Sequence, residues 1–181
     1  MSTVANSKLE TVTQDEDLDK YLCFLLNDKS YAINISCIKE IMEHTEITPI
    51  PMMPEFFRGA INLRGSVVPV IDISNRLGLG VSQISKRSCI VIVEVETDDE
   101  HLDVGVMVDA VSEVADIPSE NIEKTPSFGG RLHTEFMHGM GKLDQRFVIL
   151  LNVNRILSMT DIEILKDISD MPLEPVGQDS D

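Results

Sequence analysis

The feature that most limits what this chain can fold into is that its sequence matches itself. Slid along itself until position 57 lies on position 137, FRGAINLRGSVVPVIDISNRL at 57–77 falls on MHGMGKLDQRFVILLNVNRIL at 137–157 without a gap. Gly59 meets Gly139, Leu63 meets Leu143, Val68 meets Val148, Asp72 meets Asn152 and Leu77 meets Leu157. A second alignment lays AINISCIKEI at 32–41 on GVMVDAVSEV at 105–114, with Glu40 on Glu113. Each half runs in the same order: an apolar segment, a short turn ending in (K/S)-E-(I/V), a polar stretch reaching a proline, then glycine and a closing hairpin. Two matches in the same order point to a duplication, so one architecture is expected twice.

Both copies read as β. Tyr21–Leu26 and Tyr31–Ile35 flank Asn27-Asp28-Lys29-Ser30, residue types that favour a turn. Ser66–Ile73, Cys89–Val95, Val104–Val108 and Arg146–Val153 are rich in Val, Ile and Leu at strand length. An acidic loop at Thr97–Asp103 bridges two of them. Pro69 inside its strand calls for an edge, or for a position whose N–H points away from the ladder. Many short strands at close, regular intervals indicate small barrels or a sandwich. A short turn is expected within Ile35–Ile41. The one clear helix signal is C-terminal, where Thr160-x-x-Glu163 reads as a capping box ahead of Ile164, Leu165 and Ile168.

Charge and cysteine content narrow the function classes. The net charge is −16, with −4 on 1–19 and −6 on 160–181, which leaves −6 for the long stretch between. The clustered Lys and Arg on which nucleic-acid and anionic-lipid binding depend are absent, so neither is an expected partner. The longest apolar runs, such as Cys89–Val93 and Phe147–Leu151, fall far short of the roughly 20 residues of a membrane-spanning helix. The N-terminal residues have neither the basic nor the apolar region of a secretion signal. Cys23, Cys37 and Cys89 lie in apolar strand-like stretches and read as small buried hydrophobes of a reducing compartment, the cytoplasm.

The sequence carries no catalytic constellation. Gly141-Lys142 fails the phosphate-loop pattern at Leu143, and Gly78-Leu79-Gly80 and Gly139-Met140-Gly141 stop short of a dinucleotide fingerprint. His133-x-Glu135-x-x-His138 has the wrong spacing for the zinc-protease helix, so no metal or cofactor is expected. The segment Pro49-Ile-Pro-Met-Met-Pro54 reads as a rigid loop over a barrel end, or as a soft apolar partner surface. A binding module remains. Within it Arg64 stands out, because the repeat sets it against Asp144 and sets Gly65 against Gln145. A scaffold shared between copies with opposite charge at the crest makes Arg64 a candidate contact; a solvated turn arginine is the alternative that the residues leave open.

The run from Glu40 through Pro51, Arg58-Gly59, Asn62-Leu63-Arg64-Gly65, Val68-Pro69-Val70, Asp72 and Arg76-Leu77 closely resembles the CheW family, adaptor proteins of bacterial and archaeal chemotaxis. The second half agrees at Val104–Asp109, Val111-Ser112-Glu113-Val114, Gly139 and Val148–Leu151. The resemblance covers about 19–160, and its Asn-Leu-Arg-Gly hairpin with the V-P-x-x-D that follows is its specific part. It implies a mainly β fold of two five-stranded SH3-like barrels side by side. They are expected at about 19–86 and 87–157, with strands near the termini free to cross over. A flexible acidic arm would precede them at 1–18, and a short helix and acidic tail would follow at 161–181.

The resemblance also implies a non-enzymatic adaptor between the cytoplasmic tip of chemoreceptors and the CheW-like regulatory domain of the histidine kinase CheA, recruited to receptor arrays. Receptor-side contacts would fall at Ile38, Glu40, Gly59, Asn62, Arg64 and Val111. A module of the same chemistry serving a chemosensory pathway with another output, such as pili, is the alternative.

Overall fold

A computed structural model describes residues 20–97, 100–124 and 136–172. The acidic arm, His133, Glu135 and the end of the acidic tail lie outside these residues. Among the described residues, eleven strands and three helices follow one another: β1 (Lys20–Leu26), β2 (Lys29–Asn34), β3 (Ile38–Glu43), β4 (Phe57–Leu63), β5 (Ser66–Asp72), α1 (Ile73–Arg76), β6 (Cys89–Glu96), β7 (His101–Val108), β8 (Ala110–Asp116), β9 (Ile122–Glu123), β10 (Met137–Leu143), β11 (Arg146–Leu151), α2 (Val153–Ile156) and α3 (Met159–Ser169). A 3-10 turn at Ile35–Cys37 separates β2 from β3. The acidic loop is shorter than expected. β7 begins at His101, because Leu102 is buried and the pairs Leu102–Val95 and Asp103–Glu94 extend the ladder.

The strands form two sheets, ordered β8-β1-β2-β11-β10-β9 and β3-β6-β7-β5-β4. They do not divide at residue 86. In repeat terms β1 corresponds to β6, β2 to β7, β3 to β8, β4 to β10 and β5 to β11. Each sheet therefore takes its first hairpin from one copy and its remaining strands from the other. The exchange is symmetric to the residue. Leu150 lies opposite Ala32 and Leu151 opposite Ile33 in the parallel β11–β2 pair, while Val70 lies opposite Gly105 and Ile71 opposite Val106 in β5–β7. The alignments that define the repeat carry one set of pairs onto the other. The bulges agree too, at Phe57/Gly59 and Met137/Gly139 and around Glu40 and Glu113.

The exchange explains the continuous apolar runs. Leu22, Phe24 and Leu26 of β1 join Val91, Val93 and Val95 of β6 in one core between the sheets. The alternate residues point into the separate interiors: Tyr21 and Cys23 with Val148 and Leu150 on one side, Ile90 and Ile92 with Ile61 and Val68 on the other. Strands buried on both faces need apolar residues at every position, in contrast to the alternation of a half-exposed sheet. All three cysteines are free, Cys23 buried and the others half-buried, and burial raises each thiol's pKa.

In each sheet the chain that follows one edge strand returns to pair with the opposite edge. Beyond edge strand β3 the chain returns at Thr48 to bond Ala60 of the opposite edge, β4, in both directions at 2.9 Å. In the other sheet β9 does the same, Glu123 opposite Met140. Because both backbone polar groups of Ala60 turn toward Thr48, its β5 neighbour Pro69 has its nitrogen toward β7. There pairing starts only at Val70, so no ladder bond is lost. Gly59 is needed for the same closure. A Cβ there would stand 2.0 Å from the Thr48 carbonyl oxygen, and its φ is +135°.

Where the copies meet, Arg76 lies between the rings of Phe56 and Phe136, 5.1 and 5.2 Å from their centroids. These two phenylalanines are repeat equivalents, and each accepts the corresponding backbone bond, from Asp72 N at 2.6 Å and Asn152 N at 3.0 Å. The guanidinium also reaches Asp161 of α3 at 3.3 Å. That aspartate forms the capping box with Ser158, so the helix is capped ahead of the expected Thr160/Glu163 box. The earlier start leaves Asp161 facing Arg76 while Leu165 and Ile168 enter the core between the sheets.

Two outcomes follow for stability. Gly59→Ala forces a backbone clash and a disfavoured φ together, so its melting temperature should fall by ~10 °C or more, or folding should fail. Gly139→Ala should fall less, since its Cβ would stand 2.8 Å from Glu123 O and no left-handed φ is involved. Arg76→Ala removes two ring contacts and leaves Asp161 without its cation. A loss of about 2 kcal/mol is expected, several degrees in a thermal melt, with Arg76→Lys recovering part of it.

Candidate functional site

The β4–β5 hairpin turns on Arg64-Gly65, with φ of 51° and 89°. A two-residue turn with both residues at positive φ matches the twist of the flanking strands, and arginine is an uncommon choice for its first place. Asn62 supports the turn, its side-chain oxygen accepting from Gly65 N at 3.0 Å. From this crest the Arg64 side chain crosses to edge strand β3. Its Nη1 and Nη2 donate to the two carboxylate oxygens of Glu40 at 2.6 and 3.1 Å.

The pair is lopsided in exposure. The Glu40 side chain is 25% exposed and that of Arg64 74%. A guanidinium has five N–H donors, so Glu40 fixes the plane of the group while the remaining donors face solvent. The hydrogen bond to Glu40, and then its charge, raise the pKa of Arg64. An exposed pair of this kind adds little to folding. Its effect is to aim the cation.

The other barrel makes a related contact with different residues. Glu113, the equivalent of Glu40, meets Arg146 at 3.2 Å, and Arg146 is the equivalent of Ser66. At the crest, Asp144 has φ 58°, close to the 51° of Arg64. The two hairpins thus share a left-handed first turn residue and an ion pair to the edge strand, and they present opposite charge; at the second turn residue Gly65 keeps a positive φ and Gln145 does not.

The expected contact residues separate into three groups. Glu40, Asn62 and Arg64 come together on one rim. Ile38 and Val111 lie on edge strands of different sheets, and both half-buried side chains pack against the same core. Gly59 is buried beneath Thr48 and takes part in barrel closure. Sequence reading missed Ile41 and Val114, apolar residues aligned there by the repeat and 45% and 54% exposed in the structure. The strand period of two was the available signal, since in IKEIME a residue three places after Ile38 falls on the opposite face. In the Pro49–Pro54 segment, Ile50 and Met53 pack on the main core while Met52 is fully exposed.

Another residue of the recognition motif is internal. Asp72 is fully buried, caps α1 through Asn75 N, and accepts from the backbone nitrogen and hydroxyl of Ser82 at 2.8 and 2.7 Å. Among the described residues no group of three or more His, Cys, Asp or Glu is placed to hold a metal ion.

Comparison with known proteins agrees with this architecture. The family model for the CheW-like domain matches residues 20–161. A probable chemotaxis protein CheW from Rhizobium etli is 32% identical over 142 residues, spanning 78% of this chain and 89% of the relative. The chemotaxis protein CheW of Klebsiella aerogenes is 31% identical over 169 residues, 93% of this chain and 96% of that one. The crystal structure of the scaffolding protein TtCheW from Thermoanaerobacter tengcongensis superposes with a TM-score of 0.70 at 35% identity, over 79% of this chain and 90% of that one. With the duplicated barrels, the Asn-Leu-Arg-Gly hairpin and these matches in hand, the chain belongs to the CheW family.

Proposed function

We propose that this chain is a non-enzymatic adaptor that couples chemoreceptors to the histidine kinase CheA in chemotaxis signal transduction. The observation that carries this reading is the Arg64 crest. Its cation is held by Glu40 at 2.6 Å, leaves most of its surface to solvent, and stands where the second copy has an aspartate. Free guanidinium donors in a fixed plane suit the carboxylate and carbonyl groups at the end of a helical hairpin, which is the form of a receptor tip. Ile38 and Val111, half-buried on edge strands β3 and β8, would supply the apolar lining of a groove between the barrels. The kinase would be engaged through its own CheW-like regulatory domain, barrel against barrel.

Such a module works without chemistry. Each surface on barrels of this size is modest, below ~1,200 Å² of total buried area, and therefore exchangeable. Retention comes from many receptors, kinases and adaptors engaging at once, because linked sites raise effective concentration. The protein would act in the cytoplasm, recruited to receptor arrays.

Arg64→Asp separates contact from scaffold. The crest backbone accepts aspartate in the second copy, so the melting temperature should stay within a few degrees of wild type. Co-sedimentation with receptor fragments and control of CheA should fall tenfold or more, the scale of a lost charge-assisted contact at about 1.5–3 kcal/mol. Glu40→Gln, which loosens the aim but keeps the cation, should fall less. A variant that is unfolded and inactive together would make Arg64 structural and end this reading.

A further inference from the structure

The two copies differ at one more place. A cavity of about 320 Å³ opens at the ends of the parallel β2 and β11, with an apolar floor of Ile33, Leu151 and Val153. Its rim carries Ser36, His138, Asn152 and Asn154, and none of its lining residues is acidic in a chain of 31 Asp and Glu. The repeat shows what has changed. Ser36 takes the place of Asp109, Asn152 that of the buried Asp72, and His138 that of Arg58. In the other barrel the Asp72 carboxylate is occupied by Ser82, from the chain that follows α1. After α2 the chain leaves instead as α3 and packs on the main core, and the equivalent space stays open.

The polarity of the rim is determined by bonds already made. The side-chain oxygen of Asn152 accepts from Asn154 N at 3.0 Å, and that of Asn154 accepts from Glu96 N at 3.0 Å. With both oxygens engaged, each amide has only its NH₂ group left to offer, and among the described residues no acceptor meets either one. Asn152 is half-buried and Asn154 exposed, so the two donors stand at the mouth of the cavity above its apolar floor, where a ligand that supplies an acceptor meets both. Burial pushes the Cys37 thiol in the lining up to about 11, so near neutral pH it is an uncharged neighbour and does not repel an anion.

We infer that this cavity is a binding site for a small carboxylic acid, its carboxylate held by the NH₂ groups of Asn152 and Asn154 and its carbon skeleton on the Ile33–Leu151–Val153 floor. The volume equals roughly ten water molecules at ~30 Å³ each, room for an acid of a few carbons. The site lies apart from the Arg64 crest, so it stands or falls independently of the adaptor reading.

The test is a titration of the full chain with acetate and with succinate, followed by the side-chain amide signals of Asn152 and Asn154 in proton–nitrogen spectra at constant ionic strength. Saturable shifts at both residues are expected, with a Kd of about 1 mM or tighter for the better acid. Succinamide, the neutral diamide of the same skeleton, should bind at least tenfold more weakly. Asn152→Asp keeps the oxygen that caps Asn154 N, and with it the fold, but replaces the donor by a carboxylate; it too should weaken binding at least tenfold. Shifts that rise linearly with both acids, or that succinamide or Asn152→Asp reproduces in full, overturn the site.

Discussion

The structure depends on a constraint that neither copy of the repeat can meet alone: the outer edge of its second strand needs a partner. β2 and β7 each have an antiparallel neighbour on one side only, β1 and β6 respectively. Their other edges pair in parallel with β11 and β5, each from the other copy. Unpaired buried backbone groups are costly, so neither barrel is complete until both copies are present. The result is one folding unit from a duplicated sequence, and it fixes the barrels relative to each other through covalent crossings. Residues on β3 and β4 and residues on β8 are then held in a fixed relation, although they belong to different sheets.

The exchange places a shared core at the centre and puts Arg76 at its boundary. Cation, two equivalent aromatic rings and Asp161 meet where the copies meet, and the charge there is balanced from α3, which has no counterpart in the first repeat. Arginine suits this place because its guanidinium stacks on faces while its edges donate. Its equivalent, Ile156, is fully buried. The two copies thus put a cation and an apolar side chain at equivalent positions of the junction.

Much of this is legible in the sequence. The alignment of 57–77 with 137–157 places the strands, the hairpins and the closing glycines, and the opposite charges at Arg64 and Asp144 single out the crest. Which copy pairs with which is not legible. Val70 and Leu150 are both apolar strand residues, and periodicity carries no information about whether a neighbour is Gly105 or Ala32. Gly59 reads as a contact because it lies beside Arg58 in a recognisable motif. Its actual constraint is the Thr48 carbonyl, brought over it by a return of the chain that no local pattern announces. The capping box is easily misplaced because Thr160-x-x-Glu163 and Ser158-x-x-Asp161 satisfy the same rule, and only the position of Arg76 distinguishes them. Ile41 and Val114 match each other in the repeat and both are exposed, because matching residues share an environment whether it is buried or exposed.

That last point describes how a duplicated fold can acquire asymmetric surfaces. Backbone pairing, bulges and closing glycines must stay alike, since each copy completes the other. Side chains that leave the shared framework are free to diverge. Three such divergences stand out: the crest, with Arg64 against Asp144; the end of the parallel strands, with Asp72 and Asp109 against Asn152 and Ser36; and the exit from the last strand, where one chain folds back as Ser82 onto Asp72 and the other leaves as α3. At the first two, Arg64 and Asp144 share a left-handed φ and Asp72 and Asn152 share an extended one, while the hydrogen-bonding character changes, from donor to acceptor or from acceptor to donor. Differences of this kind change what each half can recognise without changing what holds the barrels together.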